Sequence, residues 1–196
     1  MKRWLVTAAA MLALAACANS EAYVDFEPEW KATGSRPDVA LTASVDPRED
    51  ALKIRYAVRN QGTEPVVVYS GVPGEAASHA WDVFVTARED GVVEIAKRTF
   101  DIPPNVRADS VGVIEGVVVK PGEDFSEDFA VALPLKGRRP YTGQVKLPDP
   151  VRKVVFCVGV VLQKEAPQPK PAESGRGAYP ANGPQHLFCS PVTELK

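Results

Sequence analysis

The chain contains few of the side chains that bind metal ions or act as catalytic bases. Its two histidines are His79 and His186, and both of its methionines lie within the first eleven residues. Copper sites use methionine, cysteine or histidine ligands, and serine hydrolysis needs a base within hydrogen-bond reach of the nucleophile. Ser78 precedes His79, but side chains of neighbouring residues in an extended segment point to opposite sides. The composition therefore predicts no metal site, no cofactor and no catalytic residue.

The chain also lacks an excess of positive charge, with 23 lysines and arginines against 25 aspartates and glutamates. Nucleic-acid-binding domains carry a basic patch or a basic composition, so we expect no nucleic-acid partner. Glu127 and Asp128 are neighbours in a predicted strand, where their side chains should face opposite sides. A glycosidase needs two carboxyl groups that face each other, and nothing in the sequence supports such a pair.

The N-terminus has the three-part pattern of a secretory signal. Lys2 and Arg3 supply positive charge, and residues 4–16 follow without a charged side chain. A transmembrane helix needs about 20 apolar residues, so this run is too short to span a bilayer. Small residues then precede Cys17, as they do at a signal-peptide cleavage site.

The residues Leu14-Ala15-Ala16-Cys17 resemble the lipobox of bacterial lipoproteins, which has a leucine three positions before the cysteine and small residues between. The resemblance implies that residues 1–16 are a lipoprotein signal peptide and that Cys17 carries lipid. Several acyl chains on one cysteine would anchor the chain stably in a membrane. In the Gram-negative sorting pattern, an aspartate directly after the lipid-bearing cysteine favours the inner membrane. The residue after Cys17 is Ala18, so the resemblance implies the periplasmic face of the outer membrane. The alternatives are an ordinary secreted protein with a chance cysteine and a buried apolar helix at the start of the fold.

Residues 17–38 are polar and acidic, which predicts a tether between the lipid and the folded domain. About twenty flexible residues span about 25 Å on average. Tyr23, Phe26 and Trp30 are unusual in a simple linker. Either they dock on the domain as an extra edge segment, or Trp30 belongs to a motif that binds a partner, because exposed aromatic side chains are common interface anchors.

Residues 39–196 alternate apolar and polar side chains as half-buried strands do. Turn signals separate the runs and include Asn60-Gln61-Gly62, Asp90-Gly91 and Pro121-Gly122. No convincing amphipathic helix pattern occurs. The pattern predicts an all-β chain that forms an antiparallel β-sandwich of about nine or ten strands. A β-barrel is the rival, because both architectures give the same local pattern.

The Asn60-Gln61-Gly62 hairpin and the Pro121-Gly122 turn, each followed by an alternating strand, resemble immunoglobulin-like domains of bacterial envelope proteins. The resemblance implies an immunoglobulin-like β-sandwich and indicates no particular family. Antibody-type domains carry a tryptophan between their bridging cysteines. None lies between Cys157 and Cys189, so the resemblance concerns the architecture alone.

Two cysteines remain once Cys17 carries lipid, and the compartment permits disulfides. Cys157 and Cys189 each lie in an apolar, strand-like run. A bond between these runs would be worth about 3–4 kcal/mol in the chain-entropy model. The alternative is a metal or redox pair, although the chain has no C-x-x-C motif and no histidine at a useful spacing. We therefore predict a Cys157–Cys189 disulfide.

Residues 164–186 form a Pro/Gly-rich segment with five prolines and three glycines. A segment of this length without secondary structure is usually functional or disordered. One interpretation is a solvated, flexible loop that the disulfide closes at its base. The other is a loop that presents a binding surface with Tyr179 as its aromatic anchor.

These observations predict a non-catalytic, membrane-anchored lipoprotein of the bacterial cell envelope whose β-domain binds or braces another envelope protein. A second hypothesis is a protease inhibitor, in which residues 70–79 or 167–184 occupy a protease cleft. A third is an enzyme of unrecognised type, for which His79 or His186 would supply the base.

The anchor can be tested with globomycin, which blocks removal of lipoprotein signal peptides and should leave an uncleaved precursor. Cys17→Ser should be released as soluble protein, because the acyl chains then have no attachment site. Membrane fractionation and mass measurement of the N-terminus check both outcomes. Normal membrane retention of Cys17→Ser would contradict acylation.

Overall fold

The computed structural model describes residues 34–71, 83–103, 112–141, 145–171 and 176–195. Cys17, Trp30 and His79 lie outside the described residues, as do the predicted signal peptide and most of the predicted tether. Within the ranges described, no helix is long and apolar enough to cross a membrane.

The described residues form twelve β-strands and no helix, so the prediction of an all-β chain is confirmed. The count exceeds the nine or ten strands predicted, because three short strands lie in segments without a clear alternating pattern. The strands are β1 (Val39–Pro47), β2 (Ala51–Asn60), β3 (Val66–Gly71), β4 (Phe84–Ala87), β5 (Val93–Lys97), β6 (Val113–Val119), β7 (Asp124–Ala132), β8 (Lys153–Leu162), β9 (Lys170–Pro171), β10 (Gly177–Pro180), β11 (His186–Cys189) and β12 (Thr193–Glu194).

The smaller sheet has three antiparallel strands in the order β1-β2-β7. Its side chains alternate as the sequence predicts, with Leu52, Ile54 and Tyr56 buried and Lys53 and Arg55 exposed. Strand β2 is the middle strand, so both of its edges are paired. Its inward row forms one half of the main core.

The larger sheet has the order β4-β5-β8-β3-β6-β10-β9 and curls into a half-barrel. Strand β8 is its centre. Strand β5 pairs with residues 154–158 of β8, and strand β3 pairs with residues 160–162 of β8. Strands β5 and β3 therefore lie one after the other along the same edge of β8. Strands β12 and β11 pair with residues 153–154 and 157–160 along the other edge. Strands β3 and β5 therefore meet end to end beside β8.

The prediction of purely antiparallel strands is wrong for one pair, because β5 runs parallel to β8. Parallel strands need a long crossover connection, and here the chain passes through β6 and β7 before it returns as β8. Alternation of apolar residues is the same in parallel and antiparallel strands. The sequence pattern therefore gave no signal for this direction.

The main core lies between the inward faces of the two sheets. The rings of Tyr56 and Phe156, one from each sheet, have centroids 4.8 Å apart. A second cluster, which includes Tyr69 and Val161, lies on the opposite face of the larger sheet. A strand covered on both faces reads as a continuous apolar run, which accounts for the uninterrupted run of β8.

The disulfide between Cys157 and Cys189 is present, as predicted. The two cysteines stand directly opposite each other in the antiparallel pair of β8 and β11. The bond fixes the C-terminal segment to the central strand of the larger sheet, and 32 positions separate the two cysteines in the sequence.

The 164–186 segment is not simply a loop. It contains β9 and β10, and β10 extends the larger sheet by pairing with β6. Tyr179 packs into the second cluster opposite Gly116, where a Cβ atom would lie 2.8 Å from the tyrosine ring. The prediction of a solvated loop is therefore wrong for this part of the segment, because the buried tyrosine ties it to the sheet.

Removing the disulfide should lower the free energy of unfolding by about 3–4 kcal/mol, because the unfolded chain regains the entropy of an open loop. Urea denaturation of Cys157→Ala/Cys189→Ala against the parent chain measures this. Dithiothreitol should destabilise the parent and leave the double variant unchanged. Equal stability of parent and double variant would contradict the expectation.

Candidate functional site

A lysine occupies a core position of the larger sheet. On β5 the side chains of Val93, Ile95 and Lys97 form one row that faces the smaller sheet, and Lys97 is only 1% exposed. A buried charge is costly unless it is paired and hydrogen-bonded. The surroundings of Lys97 must therefore supply an opposite charge.

That charge comes from the other sheet. Lys97 Nζ donates to Glu127 Oε2 of β7 at 2.6 Å. It also donates to the backbone carbonyl of Ser70 at 2.7 Å and lies 4.4 Å from the ring centroid of Phe129. Ser70 lies near the end of β3, where β3 meets β5. Lys97 therefore connects β5 to β3 within the larger sheet, and it also connects the larger sheet to the smaller one.

The Glu127 carboxylate accepts from two further donors. Tyr56 Oη donates to its Oε2 at 2.6 Å, and Arg176 Nη2 donates to its Oε1 at 3.0 Å. Arg176 Nη1 also donates to Ser70 Oγ at 3.1 Å. Burial first, and then the Glu127 charge, raises the pKa of Tyr56, so the phenol stays protonated as a donor. We call Lys97, Glu127, Arg176, Tyr56 and Ser70 the clasp network.

The chemistry of the clasp network suits cohesion rather than reaction. A nucleophilic lysine must be neutral, whereas Lys97 faces a carboxylate at ion-pair distance. A general base must be within hydrogen-bond reach of a substrate proton, whereas three protein donors already surround the Glu127 carboxylate. The network therefore fixes how the two sheets face each other.

The sequence carried part of the signal for this network. Glu127 and Asp128 do face opposite sides, as predicted: Glu127 points into the domain, and Asp128 accepts from Arg55 on the outer face at 2.7 Å. The position of Lys97 was missed. Its spacing from Val93 and Ile95 places it on their face, but a terminal lysine of a strand is usually solvated.

The second feature is an aliphatic cleft of about 1020 Å³ at one end of the domain. Its floor is Leu52, which is fully buried, and its walls are partly exposed aliphatic side chains and prolines. We call this space the end cleft; its lining residues are Pro47, Arg48, Glu49, Leu52, Leu133, Pro134, Leu135, Leu147, Pro148, Asp149, Pro150, Val151, Glu194 and Leu195.

The charged groups of the end cleft lie on its rim. Arg48 forms an ion pair with Asp46, and Glu194 stands opposite Lys153 in the pairing of β12 with β8. Glu49 and Asp149 have no cationic partner among the residues that the structure describes. The rim therefore carries an excess of negative charge above an apolar floor.

A smaller hollow of about 420 Å³ lies on the outer face of the three-stranded sheet. It is lined by short side chains such as Thr42 and Ser44, and by Arg55, which is already paired with Asp128. It lacks the buried apolar floor that ligand sites usually have. The end cleft is the better candidate site.

The residues predicted from the sequence as sites do not meet in one place. Cys17 and Trp30 fall outside the described ranges. Tyr179 is 2% exposed and packs edge-on against Tyr69 at 6.0 Å between ring centroids. Its proposed role as an exposed anchor of a binding loop is therefore wrong in this conformation, because the ring fills the second cluster.

His186 begins β11 and is 6% exposed. Burial first, and then the Arg36 charge, lowers its pKa below the ordinary value of 6.5. In the part of the chain that the structure describes, no group of three histidine, cysteine, aspartate or glutamate side chains could hold a metal ion.

No protein-family model, curated protein or solved structure matches the chain. The geometry and the sequence pattern are therefore the basis for any functional proposal.

Removing one half of the ion pair should destabilise the fold more than removing both halves. Lys97→Met leaves the Glu127 carboxylate without its nearest cation, and breaking a buried pair in this way costs about 3–5 kcal/mol. Lys97→Met/Glu127→Leu should be more stable than Lys97→Met, because no carboxylate is left facing the core without Lys97, and the partly exposed Arg176 keeps Glu115 at 3.9 Å. Urea denaturation at neutral pH measures both free energies.

The matched control is Arg55→Met, which removes an exposed ion pair with Asp128 and should cost less than about 1 kcal/mol. A Lys97→Met/Glu127→Leu variant that is less stable than Lys97→Met would show that the two side chains do not act as a pair.

The lowered pKa of His186 predicts a pH-dependent stability. The unfolded chain takes up a proton at a higher pH than the folded chain, so protonation favours unfolding. Stability should be complete above the unfolded value of 6.5 and fall as the pH drops through the lowered folded pKa. His186→Gln should lose this contribution, visible as a flatter unfolding free energy as the pH falls below the unfolded value of 6.5. An identical pH profile in both proteins would argue against it.

Proposed function

We propose that the chain is a lipid-anchored protein of the bacterial cell envelope whose β-domain is a non-catalytic binding module, with the end cleft as its binding site. Cys17 is the proposed lipid attachment site, on the periplasmic face of the outer membrane. The partner in this proposal is another component of the envelope. No cofactor takes part.

The observation that carries the proposal is the position of the end cleft. The described chain enters the domain through residues 34–38, which precede the first residue of β1, whereas Pro47 at the last residue of β1 lines the cleft. A nine-residue strand that rises about 3.3 Å per residue separates these ends by about 26 Å. An N-terminal anchor on the predicted tether would therefore attach at the end of the domain away from the cleft and leave the cleft open to a partner.

The same proposal includes an immunoglobulin-like sandwich as the finer description of the fold. It is supported by the shared core between the inward faces of the two sheets and by the clasp network across them. The half-barrel curl of the larger sheet is the observation that favours the rival, barrel-like description. Nuclear Overhauser contacts between the side chains of Lys97 and Phe129 would test the face-to-face packing.

The two other hypotheses draw less support from the geometry. A protease inhibitor needs an exposed segment that enters the protease cleft. Strand β10 ties the middle of residues 167–184 into the larger sheet, and residues 72–79 of the other candidate loop lie outside the described residues. An enzyme would need His79 or His186 as its base. The first lies outside the described residues, and the second is buried, which leaves it little access to a substrate.

The binding role can be tested by site-specific photo-crosslinking in intact cells. A benzophenone amino acid at Leu147, in the wall of the end cleft, should form an adduct with one envelope component. The same amino acid at Thr42, on the outer face of the smaller sheet, should not. The Leu147 adduct should weaken when Cys17→Ser releases the protein from the membrane. Equal adducts from both positions, or none from Leu147, would contradict the proposal.

A further inference from the structure

We infer that the end cleft binds the aliphatic chain of an amphiphile whose headgroup is neutral or cationic. The inference rests on the proposed binding role of the domain and names the chemical class of its ligand. It is carried by the side chains that line the cleft, by the shortage of backbone donors there and by the charge of the rim.

The apolar part of the lining is aliphatic and contains no aromatic ring. Grooves that bind proline-rich peptides are lined by aromatic side chains. The walls here consist of the branched hydrocarbon groups of Leu133, Leu135 and Leu147, with Leu52 below them. Such walls offer contacts to methylene groups along a chain and no flat surface for a ring.

The backbone of the cleft favours a ligand that needs no hydrogen bonds. Four of its lining residues are prolines, Pro47, Pro134, Pro148 and Pro150, and proline has no backbone N–H. A peptide brings backbone carbonyl groups that must be paired when they are buried. An aliphatic chain has no such requirement, so it fits this lining better than an extended peptide does.

The volume of the cleft, about 1020 Å³, is at the upper end of the range of about 300–1000 Å³ usual for small-molecule sites. The space is open at the rim, so the chain can enter while the headgroup stays in water. Each methylene group that leaves water should raise the affinity about fourfold. Chain length is therefore a direct measure of how deeply the ligand enters.

The rim selects the charge of the headgroup. Glu49 and Asp149 have no cationic partner among the described residues, and the only arginine of the lining, Arg48, is paired with Asp46. Like charges brought together at an interface repel. An anionic headgroup is therefore disfavoured, whereas a neutral or cationic one is accepted.

The test uses three amphiphiles with the same twelve-carbon tail: dodecanoate, monododecanoylglycerol and dodecyltrimethylammonium. Each is titrated calorimetrically below its micelle concentration into the full chain carrying Cys17→Ser, which keeps the protein free of detergent. The neutral and cationic probes should bind at least tenfold more tightly than dodecanoate. The eight-carbon analogue of the cationic probe should bind at least tenfold more weakly than the twelve-carbon form.

Two sets of variants assign the binding to the end cleft. Leu147→Asp should abolish binding of the cationic probe, whereas Thr42→Asp should leave it unchanged; Leu135→Asp serves if Leu147→Asp does not fold. Glu49→Lys/Asp149→Lys should raise the affinity for dodecanoate at least tenfold. Circular dichroism and an intact Cys157–Cys189 disulfide show that each variant is folded.

Three results would overturn the inference: equal affinity for the three headgroups, binding that survives both leucine substitutions, and no binding of any probe. The last result would leave the photo-crosslinking test of the binding role intact, because Leu147 could still form an adduct with an envelope component that is not an amphiphile. Failure of the ligand class can therefore be distinguished from failure of the proposed function.

Discussion

The ion pair between Lys97 and Glu127 is the interaction on which the arrangement of the two sheets depends. It lies where apolar side chains would otherwise meet, and it brings together β5, the end of β3 and β7. Strand β7 is also the outer strand of the smaller sheet, and an inward-pointing charge on an edge strand discourages pairing with other chains. One carboxylate thus joins the sheets and protects an edge. The hydrophobic core alone would permit several relative positions of the sheets, but the hydrogen bonds of Glu127 require one.

Much of the fold could be predicted from the sequence, because it depends on local patterns. Alternation along residues such as Leu52, Ile54 and Tyr56 predicts strands with one wet face, and this is what β2 shows. The disulfide followed from counting cysteines under the prediction that the lipobox-like motif places the chain in an oxidising compartment. The parallel direction of β5 and the meeting of β3 with β5 could not be predicted, because they depend on long-range pairing with β8. Tyr179 was misassigned for a similar reason: a proline-rich segment with one aromatic resembles a binding loop until its partner strand, β6, is known.

The candidate site was beyond the reach of the sequence for a different physical reason. The end cleft is formed by residues from four separate parts of the chain, at the ends of strands and in the turns that join them. None of these residues carries a motif, since leucine and proline are ordinary in turns and strand ends. Only the three-dimensional arrangement shows that they surround one space and that Glu49 and Asp149 lie at its opening. The clasp network lies farther along β2 and β7, at Tyr56 and Glu127. The space between the sheets is therefore closed at the clasp network and open at the end cleft.

The arrangement of the two sheets is tested most directly by detecting the hydrogen bond between Lys97 and Glu127 with nuclear magnetic resonance. A scalar coupling between Lys97 Nζ and the side-chain carboxyl carbon of Glu127 is observable only if the ammonium donates to that carboxylate and exchanges slowly with water. The 2.6 Å separation of Lys97 Nζ and Glu127 Oε2 predicts such a coupling. A Lys97 ammonium that exchanges as fast as an exposed lysine, with no coupling to Glu127, would contradict the arrangement of the sheets described here.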